Sequence, residues 1–227
     1  VLEGLPDDWN WSFIPPQPSE RFTQLDLAFV EVPKKYNSHG VIDDRSSPFV
    51  LWAHAQANLA AGKHRLLLRS RHAARLYIDD KLVVENPFPS GKTDGHNPWE
   101  PVESKVSPRI RPLQPGDHEK DVEVELTGGL HRLRLEVFVG GKKRRPEVGE
   151  TSLSIAPAGN DDFQVVSAAT PFPLTDDGWL AWEEQTRASL VRINQQRRAA
   201  ASAEYAKYYA DTQAQAKKYT EWALKQR

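Results

Sequence analysis

The chain has 227 residues with 30 Lys and Arg against 31 Asp and Glu, a net charge of −1, so neither a globally basic nucleic-acid binder nor a polyacidic tail protein is expected. It contains no cysteine, which excludes a disulfide framework, a thiolate metal site, haem attached through Cys-x-x-Cys-His and a cysteine nucleophile. No run approaches the ~20 apolar residues of a membrane span, and the absence of Met together with the start Val1-Leu2-Glu3 leads us to expect a piece of a longer chain.

Residues 1–24, with Trp9, Trp11, Pro15, Pro16 and Pro18, cannot sustain a helix and read as an extended arm ordered by its aromatics. From 25 to 173 short apolar runs alternate in steps of two between Gly, Pro, Asn and Asp, the pattern of an all-β barrel or sandwich. Strands are predicted at Pro48–His54, Lys63–Arg69, Ala74–Ile78 and Leu82–Glu85, with Asp79-Asp80 as a tight turn between the last two. Residues 86–120 break the rhythm with Pro87, Pro89, Gly91, Gly95, Pro98, Pro101 and Pro108, and a connection this long is commonly functional. Strands return at Val122–Leu126 and His131–Val139, joined through Gly128-Gly129; in the second, Leu133, Leu135, Val137 and Val139 share one face, Arg132, Arg134 and Glu136 the other.

From Trp179 to the end there is neither Gly nor Pro, and Ala, Glu, Gln, Lys and Arg dominate. Residues 174–227 therefore read as one long helix or a helical hairpin, with Thr175 or Asp176 as N-cap. Its sparse aromatic positions, Trp182, Tyr205, Tyr208, Tyr209, Tyr219 and Trp222, roughly follow three-four spacing and form a candidate docking stripe. Leu180–Arg227 holds nine basic and five acidic residues, net +4, which leaves −5 for the remainder. An acidic β portion and a basic helix are suited to pair, within one chain or between neighbours.

The stretch Leu59–Asn86, with Arg75-Leu-Tyr-Ile-Asp-Asp80 followed by Leu82-Val-Val-Glu-Asn86, and the later strand Gly129-Leu-His-Arg-Leu-Arg-Leu-Glu-Val-Phe138 resemble the fourteen-kilodalton protective-antigen domain, a β-barrel module of toxins, adhesins and glycosidases. The resemblance covers about 45–160. It implies a mainly β, protective-antigen-like barrel or sandwich with a long C-terminal helical extension, and carbohydrate binding. Carbohydrate-binding members hold calcium with an Asp-Asp pair, because the ion needs six to eight hard oxygens. Ser70-Arg71-His72-Ala73 stands at that position here, so calcium is doubtful and no cofactor is expected. The chain is also similar to segments of large exported planctomycete-type proteins that carry cytochrome c and unknown-function domains, which implies an extracytoplasmic location.

Asp94, His96, Asn97 and Trp99 lie within six residues of the long connection and supply carboxylate, imidazole, amide and indole, groups that suit the polar rim and apolar face of a sugar. The same residues also serve to turn the chain and plug a barrel end. Arg71 and His72 can approach an anionic ligand, or are solvated strand-end charges. The histidines lack metal-ligand spacing, the basic turn Lys142-Lys-Arg-Arg145 reads as a solvated hairpin tip, and no nucleophile elbow, phosphate loop or metal-hydrolase motif occurs. The resulting expectation is a non-catalytic carbohydrate- or ligand-binding β module of a larger exported protein, with a glycan or other extracellular ligand and no nucleic acid as partner. The alternative is a structural subunit whose aromatic helix docks on another subunit or domain.

Overall fold

The computed structural model describes residues 11, 17–18, 21–32, 48–88, 101–114, 116–141, 146 and 149–225. Ten strands, β1 (Ala28–Val32), β2 (Phe49–Leu59), β3 (Gly62–Ser70), β4 (Ala73–Ile78), β5 (Lys81–Asn86), β6 (His118–Leu126), β7 (Gly129–Val139), β8 (Gly149–Pro157), β9 (Gln164–Val165) and β10 (Phe172–Pro173), precede one helix, α1 (Asp176–Lys225). The protein is thus mainly β with a C-terminal helix, and its strands form two open sheets. One sheet has the order β2-β7-β4-β5; the other runs β10-β9-β8-β3-β6, with β1 also paired to β8. All named pairings are antiparallel.

The two sheets make a sandwich because alternation gives each strand one apolar side. Phe49 and Leu51 of β2, Leu76 and Ile78 of β4, and Leu133, Leu135, Val137 and Val139 of β7 meet Leu66 and Leu68 of β3, Leu153 of β8 and Phe29 of β1 in one buried cluster. The β4–β5 turn places Asp79 at φ 49° and Asp80 at φ 66°. Two successive left-handed residues match the twist of a two-residue hairpin, and aspartate tolerates that region better than bulkier side chains.

The outer face of the larger sheet is solvated only in part, with Lys63 and Glu123 exposed at one end. Arg69, Glu150, Ser152 and Ser154 fall on that face and are buried. The segments on either side of β9 and the stretch 101–117 are tied together by Arg111 N donating to the Leu174 carbonyl and Leu174 N donating to the Phe163 carbonyl, both at 2.9 Å. Ile110, Leu113, Phe163, Leu174 and Trp179 in these segments are buried. What the sequence presents as a long connection is in this part a covering layer.

The chain divides into two compact units, Val1–Trp179 and Leu180–Arg227. Thr175 caps α1 by accepting from Gly178 N at 3.2 Å, and Trp179 in the first turn meets Phe172 edge-on with ring centroids 6.1 Å apart. In the second unit every described side chain from 202 to 218 is exposed, with Tyr205 at 70%, Tyr208 at 69% and Tyr209 at 57%. Among the described residues no helix is long and apolar enough to cross a membrane.

Candidate functional site

Asp94, His96, Asn97 and Trp99 lie outside the described residues, as do the basic turn at 142–145 and the side chains of Tyr219 and Trp222. Arg71 and His72 are described, in the β3–β4 connection. They are not solvated strand-end charges: His72 is buried, and the Arg71 guanidinium, mostly covered, faces Asp117 at 3.6 Å. Gly149 explains the fit, since a Cβ there would stand 2.1 Å from the Arg71 Cβ. Trp182 is buried, whereas Tyr205, Tyr208 and Tyr209 are open to solvent.

Arg71 belongs to a buried ionic cluster beneath the covering segment. Arg69 Nη2 donates to Glu119 Oε2 at 3.0 Å, and Arg111 Nη1 donates to Glu150 Oε2. Arg111 also lies over the Trp179 ring, 4.2 Å from its centroid. Ser104 Oγ and Lys105 N donate to Glu119 Oε1 at 2.8 and 2.7 Å, fastening the cover to β6. Burial, reinforced by the nearby Glu150 charge, pushes the Asp117 carboxyl up to about 7; burial also raises Glu150 and lowers Arg69. Perturbed groups often mark functional sites; each of these faces an opposite charge within the cluster, although Arg69 Nε and Nη1, Arg111 Nε and Asp117 Oδ1 are buried without a hydrogen-bond partner, and the pairs across it clamp the cover on the sheet.

The open chemistry lies on the opposite side of the molecule's β unit, on the outer face of the four-stranded sheet. The register sets out its side chains in rows: Val50, Phe138 and Ala73; then Trp52, Glu136, Arg75 and Glu85; then His54, Arg134, Tyr77 and Leu82; then Gln56 and Arg132. The first row is closed by Trp11 and Phe88, with Trp11 edge-on to Phe138 at 3.9 Å between centroids. Arg75 lies over Trp11 at 4.1 Å and Arg134 over Tyr77 at 4.0 Å, so cations and rings interleave across the sheet. Beyond the first row the face opens: Trp52 is 43% exposed, and His54, Gln56 and Arg132 are exposed. A shallow open cavity of about 390 Å³ is lined by His54, Gln56, Asp80, Arg132 and Arg134 among others.

The charges of this face are compensated in pairs. Arg134 Nη1 donates to Glu136 Oε1 at 2.6 Å, Arg75 Nε to Glu85 Oε2 at 2.7 Å, and Arg132 Nη2 to Asp80 Oδ2 at 2.7 Å. Each pair fixes a planar donor beside a planar acceptor without leaving net charge. Among the described residues no group of three or more His, Asp or Glu side chains is placed to hold a metal ion.

Sequence reading assigned the strands of this face but not the face as a site. The signal was the alternation itself, which exposes Trp52, His54 and Gln56 together, but only the register with β7 sets Arg132 and Arg134 beside them.

No known family profile and no curated protein matches the chain. Among solved structures the chain is similar to a β-glucosidase from Kluyveromyces marxianus in complex with glucose, with TM-score 0.35 and 15% identity over 54% of this chain and 12% of that one. It is also similar to a GH31 α-xylosidase from Xanthomonas citri, with TM-score 0.31 and 17% identity over 56% of this chain and 11% of that one. A native α-L-rhamnosidase from Aspergillus terreus gives TM-score 0.28 and 11% identity over 63% of this chain and 16% of that one. The matched parts thus span a small share of those proteins, and likenesses at these TM-scores carry no functional information.

Proposed function

We propose that this chain is a non-catalytic, carbohydrate-binding β module of the protective-antigen type within a larger exported protein, and that its ligand lies on the open face of the four-stranded sheet. The observation that carries this reading is the row arrangement in which the exposed Trp52 indole stands beside His54 and Gln56, with Arg132 and Arg134 on the adjacent strand. A pyranose has an apolar C–H face that stacks on an indole and a rim of hydroxyls that both donate and accept. The amide, imidazole and paired guanidinium–carboxylate groups meet that rim. Pairwise charge compensation favours a neutral glycan over a sulfated or carboxylated one.

A non-catalytic role is supported by the state of the acids on this face. Asp80, Glu85 and Glu136 each accept from an arginine, and hydrolysis needs two carboxyl groups set across a scissile bond. Retention on neutral polysaccharides, measured with Trp52→Ala beside the unaltered chain, tests the proposal. Binding should fall at least tenfold with the melting temperature little changed, and added calcium or chelator should make no difference. Equal retention by both proteins would remove this face from consideration.

A second reading rests on a separate observation, the exposure of Tyr205, Tyr208 and Tyr209 on α1. A helix stretch with no buried stripe draws little stability from packing, and three exposed tyrosines on a basic helix suit docking to an acidic partner subunit or domain.

A further inference from the structure

One side of the cavity on the four-stranded sheet is formed by the β4–β5 turn and the start of β7, through Asp80 and Arg132, whose side chains pair at 2.7 Å. Both members of that pair are mostly exposed, and an exposed pair contributes too little to hold a turn by itself. The turn needs holding, because Asp79 and Asp80 are consecutive left-handed residues, at φ 49° and 66°, a region unfavourable to L side chains. The hold comes from the other side of the sheet. His131, one residue before Arg132, points that way and is buried. Its Nδ1 bonds Asp79 Oδ2 at 2.6 Å and its Nε2 bonds the Thr127 carbonyl at 2.7 Å. Asp79 and Arg132 are joined reciprocally, Asp79 N donating to the Arg132 carbonyl and Arg132 N to Asp79 Oδ1, both at 2.9 Å. Both partners of the ring are acceptors. An imidazolium donates to both, whereas a neutral imidazole has a single N–H and leaves one acceptor facing a lone pair.

We infer that His131 is a positioning residue for the open face: as an imidazolium it holds the Asp79-Asp80 turn and so sets Asp80 and Arg132 at the cavity, and loss of its proton releases them. The inference rests on the glycan reading of that face and adds control of ligand affinity by pH. Asp79 is the charge that acts on the ring, and with the Thr127 bond it raises the His131 pKa. Arg132 and Asp80 lie across the sheet, β2 sets the uncharged Ala57 opposite His131, and Glu125 at the end of β6 is exposed opposite Lys63. A raised pKa keeps the latch closed at pH 6 and opens it as pH rises through the folded value, so affinity for a neutral sugar falls towards pH 9.

The test follows the full, isotopically labelled chain by nuclear magnetic resonance from pH 6 to pH 9, first without ligand and then with pooled neutral oligosaccharides. The inference predicts that the Asp80 and Arg132 amides shift along the same curve as the His131 ring carbons. That component should be missing in His131→Gln and in Asp79→Asn, the second of which keeps a side chain that tolerates positive φ. Over the same range sugar affinity should fall roughly fivefold more in the unaltered chain than in His131→Gln, the contribution of one ordinary hydrogen bond. His54, the other histidine at the cavity, is present in both proteins, so the difference isolates His131. Asp80 and Arg132 amides that stay still while the ring titrates, a ring already neutral at pH 6, or an equal fall of affinity in both proteins overturns the inference. The ligand-free titration of the unaltered chain decides the coupling even if neither variant folds. Amides that follow the ring with no sugar bound at any pH would remove the glycan reading and uphold the latch, so the two proposals fail separately.

Discussion

His131 and Asp79, 52 residues apart in the chain, meet with His131 Nδ1 donating to Asp79 Oδ2 at 2.6 Å. The other ring nitrogen, Nε2, lies 2.7 Å from the Thr127 carbonyl, which can only accept, so the arrangement favours a ring protonated on both nitrogens. Asp79 Oδ1 also accepts from Arg132 N at 2.9 Å, and this latch ties the β4–β5 turn to the start of β7.

The bond to Thr127 and the Asp79 carboxylate raise the His131 pKa, while the backbone bond from Arg132 and the histidine lower that of Asp79. For a group whose folded pKa is raised, stability is fully present below the unfolded value of about 6.5 and is lost as pH rises through the folded value. Chemical denaturation in steps from pH 6 to pH 9 should show a loss of stability that is smaller in His131→Gln. Identical slopes in the two proteins would mean that the imidazolium is not held in this way.

Asp117 loses stability in the same direction for a different reason. Its carboxyl is raised to about 7 by burial first and by Glu150 second, so the folded state holds a proton that the unfolded chain has released. The Asp117 contribution to stability should therefore fall as pH rises from about 4 to about 7 and change little above that, by an amount on the order of 4 kcal/mol. Asp117→Asn should flatten this segment of the curve, read by urea unfolding at fixed pH values.

The clamp under the cover gives a mutational prediction. Arg111→Ala leaves Glu150 buried without its cation and removes the guanidinium from the Trp179 ring. Breaking one side of a buried pair costs about 3–5 kcal/mol, so the loss in unfolding free energy should be of that size. Arg109→Ala, which breaks the exposed pair with Asp162 at 3.3 Å, should cost less than about 1 kcal/mol.

Much of the fold was legible because period two survives where one side of a strand is apolar. The reading of His131–Val139 placed Leu133, Leu135, Val137 and Val139 on one face, and these residues line the core. Asp79-Asp80 was legible as a turn because aspartate pairs carry turn chemistry, and both residues adopt positive φ. The covering layer was not legible: Arg69 and Glu150 look like solvent-facing charges in a strand pattern, and their burial comes from tertiary contacts, with Arg111 on Glu150 among them. For the same reason His72 reads as exposed and is buried. The candidate site was half legible, since Trp52, His54 and Gln56 alternate in sequence while Arg132 and Arg134 join them through a register that no local pattern specifies.

The central claim is that a glycan lies on the rows led by Trp52, His54 and Gln56. The most direct measurement is a nuclear magnetic resonance titration of the full, isotopically labelled chain with pooled neutral oligosaccharides. The account predicts saturable shifts of the Trp52 indole N–H, the Gln56 amide and the Arg132 and Arg134 backbone amides, with the buried cluster around Arg69 and Glu150 unmoved. Shifts confined to other surfaces, or no shifts at millimolar sugar, would contradict it.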